Sequence, residues 1–220
     1  MDDRTIIERL GLLPTAAVSD VLDRLGLPGS LLGIQRQTTG KGVAGRAFTV
    51  RYEPIDEDRC GTVGDFLDDV RPGDVVVIDN QGRVDCTVWG GIMSRVAAGR
   101  GVAGTVINGT CRDVATAEVA GYPVWAVSRF SRTGKDRVRC VAVQEPVTID
   151  GVQISPGDYV LADTDGVLAI PSARVDEVVD LAEEIESIED EIVAVALGGT
   201  PLAEARRQFG YHTLQTRTTG

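Results

Sequence analysis

The pattern of apolar and polar positions predicts two short helices at the start of the chain, over residues 3–12 and 15–25. In the second segment apolar side chains recur at the three- and four-residue spacing that is typical of one helix face. Thr15, which follows Pro14, is a suitable capping residue. The apolar face of this second helix comprises Ala17, Val18, Val21, Leu22 and Leu25.

The pattern then changes to an alternation of strands and helices. The run GDVVVID (73–79) is continuously apolar and β-branched, which is typical of a strand buried on both faces. Residues 29–45 are rich in glycine and are predicted to be loop. The other predictions are strands at 47–52, 101–108 and 123–127, helices at 64–70, 90–100 and from 114 to about 120, and a turn at 109–113. This alternation indicates an α/β core with some parallel strands.

The second half of the chain has a different character. Residues 138–170 contain short β runs, with hairpin signals at Asp150-Gly151 and Asp165-Gly166. A long amphipathic helix follows at 172–196, and a last helix covers about 201–208. We find no linker, so we expect a single domain over residues 1–220 with a C-terminal helical extension from about 172. The apolar stripe of the long helix comprises Val175, Val178, Val179, Ala182, Ile185, Ile188 and Ile192.

Charge excludes two classes of partner. The net charge is −11, and no basic face is visible that would bind nucleic acid or a membrane surface. An acidic protein that binds an anionic substrate has to concentrate positive charge locally, through arginines or a metal ion. The beginning of the chain has no basic stretch followed by an apolar core, and no apolar run approaches the length of a membrane span. We therefore expect a cytoplasmic location.

Cysteine and histidine usage narrows the chemistry further. The four cysteines, Cys60, Cys86, Cys111 and Cys140, are scattered without a CxxC pair, which favours reduced thiols over disulfides or a zinc site. The chain has one histidine, His212. Nucleophile systems that need histidine, and histidine-rich metal sites, are therefore not expected.

The segment from Trp89 to Asp113 carries the candidate chemistry. A helix beginning near Gly90-Gly91 leaves the backbone N–H groups of Ile92 and Met93 free for an anion, and the glycines allow a ligand to approach closely. Arg112 follows a buried strand, which is the usual location of ligands in an open α/β sheet. Its planar guanidinium fits the carboxylate of a 2-oxo acid, and Asp113 offers hard oxygen ligands for magnesium or manganese.

These features have structural explanations as well. An Arg-Asp pair after a strand also occurs as a surface ion pair or a helix cap, and glycines at a helix start also serve close packing. Arg129, Arg132 and Lys135 could form a basic lid over an anion, or they could lie in a solvated loop. From the residues alone, the sequence indicates a carboxylate-binding site that could include a metal.

The chain resembles a known family over nearly its whole length. The resemblance is carried by SDVLDRLG (19–26), GDVVVID (73–79), the segment GRGVAGTVINGTCRD (99–113), GYPVWA (121–126) and PVTIDGVQISPGDYVLADTDGVLAIP (146–171). These motifs are similar to those of the family that contains the regulator of ribonuclease E activity A and the 4-hydroxy-4-methyl-2-oxoglutarate/4-carboxy-4-hydroxy-2-oxoadipate aldolases. Its members have often been named demethylmenaquinone methyltransferases. The resemblance implies a compact α-β-β-α layered single domain with swivelling β/β/α character, assembled as a trimer or hexamer.

The resemblance also implies roles for individual residues. Asp113 would hold a divalent metal, Mg²⁺ or Mn²⁺, that stabilises the enolate of pyruvate. Arg112 would bind the oxo and carboxylate end of the substrate. The segment Gly90, Gly91, Ile92 and Met93 would bind the carboxylate through its backbone. Glu186 or Glu189 of a neighbouring subunit would support the waters of the metal.

Two departures from the aldolases affect the expected reaction. The aldolases have an acid where this chain has Gly91, and another where it has Thr116. The first acid orients the water that takes the proton of the substrate's hydroxyl group. Decarboxylation of an oxaloacetate-like substrate needs only a metal and an electron sink, whereas aldol cleavage also needs a base. We therefore expect a metal-dependent lyase on small 2-oxo acids, with decarboxylation ranked above retro-aldol cleavage.

Two further functions were considered. A non-catalytic regulator that binds an RNA-degrading enzyme is the main alternative, because the family contains such members. Methyl transfer is disfavoured, since the chain has no strand–GxGxxG–helix element for a methyl-donor nucleotide.

Overall fold

The computed structural model describes residues 1–55 and 63–211, so Cys60 and His212 lie outside the described part. Six α-helices are present there: α1 (Asp3–Leu10), α2 (Thr15–Leu25), α3 (Gly91–Gly99), α4 (Val114–Val119), α5 (Val175–Leu197) and α6 (Leu202–Gln208). The strands are β1 (Gln35–Arg36), β2 (Val43–Pro54), β3 (Val75–Trp89), β4 (Gly104–Cys111), β5 (Val124–Arg129), β6 (Val138–Val143), β7 (Val147–Ile149), β8 (Val152–Ile154), β9 (Tyr159–Ala162) and β10 (Val167–Ile170).

The main sheet has the strand order β1-β5-β4-β3-β2-β9-β10, with β6 also paired to β2. Strands β2, β3, β4 and β5 are mutually parallel, and β6, β9 and β10 pair antiparallel. Strands β7 and β8 form a separate hairpin. The predicted α/β architecture with parallel strands is confirmed, and so are the two hairpins at 150–151 and 165–166.

The segment 29–36 nearly closes the sheet into a barrel. The Leu31 N–H donates to the carbonyl of Val167 at 3.0 Å, which attaches the segment to β10. A few residues later, Gln35 pairs with Ala126 of β5. The glycine-rich stretch 29–45 was predicted to be loop, and this prediction is only partly right. Short pairings of this kind leave no periodic pattern in the sequence.

Two further boundaries differ from the sequence predictions. Residues 109–111 continue β4 rather than forming a turn, because β3 runs on to Trp89 and Thr87 pairs with Thr110 there. Buried hydroxyl groups stabilise this extension: Thr110 donates to the carbonyl of Cys86 at 2.7 Å. The predicted helix at 64–70 is a 3-10 helix, Asp65–Asp69, between Gly64 and the turn at Pro72-Gly73.

Helices α1, α2 and α5 pack together against β9 and β10, whereas α3 and α4 pack on the parallel strands. The predicted stripe of α5 is buried, except that Ile188 is partly exposed. Trp89 and Trp125 are buried. Within residues 1–55 and 63–211, none of the helices has the length and apolar character needed to cross a membrane.

Candidate active site

Arg112 and Asp113 follow β4 directly and mark the end of the strand. The Arg112 N–H donates to the carbonyl of Trp89 at 3.0 Å, so the ends of β3 and β4 are tied together at this point. Asp113 has φ 57°, a left-handed conformation that Asp adopts more readily than most residues. The chain turns sharply here into α4, and the turn directs both side chains to one edge of the sheet.

The Asp113 carboxylate contacts the first turn of α3. Its Oδ2 atom accepts a hydrogen bond from the Gly91 N–H at 2.9 Å. A Cβ atom at Gly90 would lie 3.0 Å from the same oxygen and 3.3 Å from the Arg112 Nε. The two glycines are therefore needed for space, since the carboxylate and the guanidinium occupy the room that side chains would take.

Arg112 pairs weakly with its neighbour. Its Nε lies 3.5 Å from the Asp113 Oδ2, and its Nη1 donates to the carbonyl of Ser131 at 3.4 Å. The two side chains are 40% and 47% exposed. Both structural alternatives raised by the sequence are thus realised: the residues form an ion pair, and Asp113 caps a helix. The guanidinium still has N–H groups available to a ligand.

The N-terminus of α3 provides further donors. The Ile92 and Met93 N–H groups belong to the first turn, where a helix has no internal acceptor. The N-cap residue is Gly90, which has no side chain that could cap the helix. The Gly91 N–H donates to the Asp113 carboxylate instead. A carboxylate placed near Ile92 and Met93 would accept these bonds and would also interact favourably with the helix dipole.

A cavity of about 530 Å³ brings these groups together. Its wall contains four charged side chains, two acidic and two basic, together with the start of α3. The lining residues are Val63, Asp65, Thr87, Val88, Trp89, Gly90, Gly91, Ile92, Met93, Arg112, Asp113, Thr133 and Lys135. A second cavity of about 470 Å³ shares Arg112 and Asp113 with the first and is also lined by Arg129 and Phe130. All the predicted substrate-binding residues of this chain therefore line one cavity.

The cavity floor is anchored in the core by Trp89. Its indole N–H donates to the Ser94 hydroxyl at 2.9 Å, and its ring stacks on Tyr122 with centroids 5.8 Å apart. The Ser94 hydroxyl in turn donates to the carbonyl of Gly90 at 3.1 Å. These contacts fix the start of α3 relative to β3, so the binding groups are held before a ligand arrives.

Arg129, Arg132 and Lys135 could form a basic lid or lie in a solvated loop, and of these three only Lys135 lines the main cavity. The loop that carries it is fixed to β3, because the Gly134 N–H donates to the carbonyl of Thr87 at 2.8 Å. Arg129 instead donates to the Gln37 side chain at 2.8 Å, and Arg132 stacks over Phe130 at 5.6 Å. Both of these arginines have structural contacts.

Sequence reasoning missed three polar residues of the cavity wall, Asp65, Thr87 and Thr133. Asp65 lies far from the Arg-Asp pair in sequence, in an acidic 3-10 helix. Only the packing of this helix against α3 brings it to the site. No pattern in the sequence distinguishes Asp65 from the neighbouring acids.

The two positions that depart from the aldolase pattern are in contact with each other. A Cβ atom at Gly91 would lie 3.1 Å from the Thr116 Cγ2 and 3.2 Å from the Asp113 Cβ. Thr116 and Asp113 thus occupy the space beside Gly91 where another side chain would begin. The pair Gly91 and Thr116 forms a compact surface without an acid.

The Cys111 thiol adjoins the second cavity but is buried. Burial raises the pKa of this thiol to about 11, although the charge of Arg129 acts in the opposite direction. The thiol is therefore protonated at neutral pH.

Glu186 and Glu189 lie on α5, which packs on α1 and α2, and neither lines the cavity of its own chain. Burial raises the pKa of Glu186, and the charges of Glu189 and Asp190 add to the rise. Their expected role toward a neighbouring subunit stays a prediction.

The donor set bears on which metal would fit. The described residues contain no group of three or more His, Cys, Asp or Glu side chains that could hold a metal ion. A structural zinc site is therefore not formed by them. Magnesium, in contrast, binds through one or two carboxylates and keeps several waters, and Asp113 can provide one such carboxylate.

Comparison with known proteins gives the family context. The RraA-like model, described as Aldolase/RraA, matches residues 15–169. The protein DlpA of Legionella pneumophila is 36% identical over 94% of this chain, although the chain spans only 34% of DlpA. A protein of Halalkalibacterium halodurans, named as a candidate 4-hydroxy-4-methyl-2-oxoglutarate aldolase, is 30% identical, with 81% of this chain and 82% of that protein covered.

Solved structures agree with this result. A protein from Pseudomonas syringae has a TM-score of 0.88 and 39% identity, with 93% of this chain and 94% of that chain covered. RraAS2 of Streptomyces coelicolor, described as an unusual member of the RNase ES inhibitor RraA protein family, has a TM-score of 0.79 and 29% identity, covering 86% of this chain and 96% of that one. The fold, the motifs and these similarities lead to one conclusion: the chain belongs to the RraA-like (Aldolase/RraA) family.

Proposed function

We propose that this chain is a divalent-metal-dependent carbon–carbon lyase that acts on small 2-oxo acids and releases pyruvate. The observation that supports this most is the cavity in which Arg112 and Asp113 adjoin the N-terminus of α3. It combines an anion-binding helix start, a guanidinium and a carboxylate in one wall. The candidate aldolase name of the Halalkalibacterium relative is consistent with this class of reaction.

The chemistry of each group in the cavity wall suggests its role in binding the substrate or the metal. The Ile92 and Met93 N–H groups would donate hydrogen bonds to the substrate carboxylate, and Arg112 would bind the adjacent oxo group. Asp113 would hold Mg²⁺ or Mn²⁺ together with waters and substrate oxygens. When bound, such an ion supplies positive charge that stabilises the enolate formed as the carbon–carbon bond breaks. Arg112 would add a second positive charge on the oxygen where negative charge develops.

Decarboxylation of an oxaloacetate-type substrate is the reaction we rank first. The surface formed by Gly91 and Thr116 has no acid that would take a proton from a substrate hydroxyl. Loss of carbon dioxide leaves the electron pair on the enolate directly, so no base is required for bond cleavage. Retro-aldol cleavage remains part of the proposal for a substrate whose base comes from another group.

The test is the release of pyruvate from oxaloacetate in the presence of Mg²⁺ or Mn²⁺. Oxaloacetate decarboxylates slowly with metal alone, so the blank contains metal without protein. Catalysis above this blank that disappears with a chelator supports the proposal. A rate equal to the metal-only blank, for oxaloacetate and for 4-hydroxy-2-oxo acids alike, would refute it.

A regulator that binds an RNA-degrading enzyme is the second candidate, because RraAS2 is described as belonging to an RNase inhibitor family. A pure binding protein has no need of a carboxylate and a guanidinium in one cavity. A ribonuclease inhibition assay with the parent and with Asp113→Ala separates the two functions. Inhibition that persists in the variant would favour the regulator.

We also propose a homo-oligomer, a trimer or hexamer, with sites at subunit boundaries. Ile92 in the cavity wall is 80% exposed and Val119 on α4 is 91% exposed, so both offer apolar surface that a second copy could bury. A second copy that covers them could also bring Glu186 or Glu189 to the metal. Light scattering that gives the mass of a single chain at micromolar concentration would contradict this.

A further inference from the structure

The cavity wall contains a second carboxylate, which has no part in the roles proposed for Arg112 and Asp113. Asp65 is one of the four charged residues in this wall, with Arg112, Asp113 and Lys135. Asp113 is already committed, since it accepts from the Gly91 N–H and pairs with Arg112. Asp65, in contrast, accepts no hydrogen bond and forms no ion pair with any residue in the described ranges.

The position of Asp65 is fixed although its side chain is exposed. Gly64 has φ 101°, and a Cβ atom there would lie 3.0 Å from the Met93 sulfur, so the backbone packs directly on the first turn of α3. The next residue, Phe66, is buried and stacks on Phe48 with ring centroids 6.2 Å apart. The end of the 3-10 helix is held as well, because Arg100 donates to the carbonyl of Leu67 at 2.8 Å.

Among the described residues Asp65 is thus a fixed carboxylate without a partner. Such a group, beside a site that would form an enolate, suits proton transfer. The geometry points to Asp65 as the acid–base residue of this site, and we propose that it exchanges a proton with carbon 3 of the pyruvate unit. The inference rests on the proposed lyase function.

The step balances without a further reactant. In the decarboxylation direction, the bond between carbon 3 and the leaving carboxylate carbon breaks, and its electron pair remains in the enolate. Asp65 then relays a solvent proton to carbon 3: its carboxyl group gives up a proton to the carbon and takes a replacement from a hydronium ion. In reverse, the Asp65 carboxylate removes a proton from the methyl group of pyruvate, and the electron pair moves to the enolate oxygen.

The reverse step allows a direct test with pyruvate alone. The parent protein with Mg²⁺ should exchange the methyl protons of pyruvate for deuterium in D₂O, as followed by proton NMR. Asp65→Asn should slow this exchange by about 100-fold, the lower range of the effect of a positioned acid–base group. In Asp65→Asn the metal affinity should be unchanged, and for oxaloacetate decarboxylation kcat should fall while KM stays the same. Asp65→Glu should restore part of the exchange.

A matched control lies on the same 3-10 helix. Asp69 is exposed and outside the cavity wall, so Asp69→Asn makes the same chemical change without touching the site. Exchange at the parental rate in Asp65→Asn would overturn the role of Asp65 while leaving the lyase intact. A parent protein that neither exchanges pyruvate protons nor releases pyruvate from oxaloacetate would overturn the proposed function and the role of Asp65 together.

Discussion

The Asp113 carboxylate accepts a hydrogen bond from the Gly91 N–H at 2.9 Å, and this contact joins the end of β4 to the start of α3. The same carboxylate is therefore both a helix cap and the candidate metal ligand. Its second oxygen accepts no hydrogen bond from any of the described residues and is available to a metal. Any test of Asp113 has to separate these two roles.

A side chain at position 91 should disturb this junction. Gly91→Asp is expected to destabilise the protein, because its Cβ would lie 3.1 Å from the Thr116 methyl group. Thr116→Ser removes that methyl group and should recover part of the loss. Thermal unfolding of the two single variants and the double variant gives a coupling energy, which we expect to be favourable by about 1 kcal/mol.

The same double variant tests the assignment of the reaction. If the missing acid at 91 limits aldol cleavage, Gly91→Asp with Thr116→Ser should gain activity on 4-hydroxy-2-oxo acids, whereas Gly91→Ala with Thr116→Ser should not. Equal aldol activity in the parent and the Asp variant would show that another group already supplies the base.

Arg112 should be required for turnover rather than for metal binding. We expect Arg112→Ala to bind Mn²⁺ as the parent does and to lose about two to three decades in kcat, because one charge-assisted contact to the developing enolate is removed. Arg112→Lys should recover little, since an ammonium group cannot present two parallel N–H donors. Substantial activity in Arg112→Lys would argue that only a point charge is needed.

Lys135 should select substrates with a second carboxylate. Its loop is fixed to Thr87, and among Arg129, Arg132 and Lys135 it is the one that lines the main cavity. Lys135→Ala should raise KM for oxaloacetate about tenfold, the effect of losing one hydrogen bond to a charged group. Arg132→Ala is the control, because Arg132 stacks on Phe130. An equal effect of both variants would indicate a general loss of positive charge.

Cys111 should be unreactive in the folded protein. Its pKa is raised to about 11 by burial, so the thiol stays neutral at pH 8, and it should resist iodoacetamide until the protein unfolds. The pKa of this thiol is higher in the folded protein than in the unfolded chain, so the unfolded chain ionises first as the pH rises. The free energy of unfolding should therefore fall as the pH rises above the ordinary thiol pKa. Mass spectrometry of native and denatured samples locates the alkylated residue. Rapid alkylation of native Cys111 would contradict the burial.

The sequence predicted those parts of the site that are close in the chain. The start of helix α3 contains Gly90 to Met93, and the end of the next strand, β4, is followed by Arg112 and Asp113. Periodicity and motif were therefore enough to place these residues together. Asp65 was not predicted, because its approach depends on Gly64 packing against Met93. The segment 29–36 was missed for a similar reason: its pairings with β10 and β5 are non-local and too short to give a pattern.

The most direct test of the account is the Mn²⁺ affinity of Asp113→Asn, measured by calorimetry against the parent. Asparagine keeps an oxygen that can accept the Gly91 N–H bond, so the helix cap is retained and only the charge is lost. Asp113→Ala adds the loss of the cap, at about 1 kcal/mol of stability. We predict that both variants remain folded, lose most of their Mn²⁺ affinity and lose metal-dependent pyruvate release. Parental Mn²⁺ affinity in Asp113→Asn would contradict the account, because the metal site would then lie elsewhere.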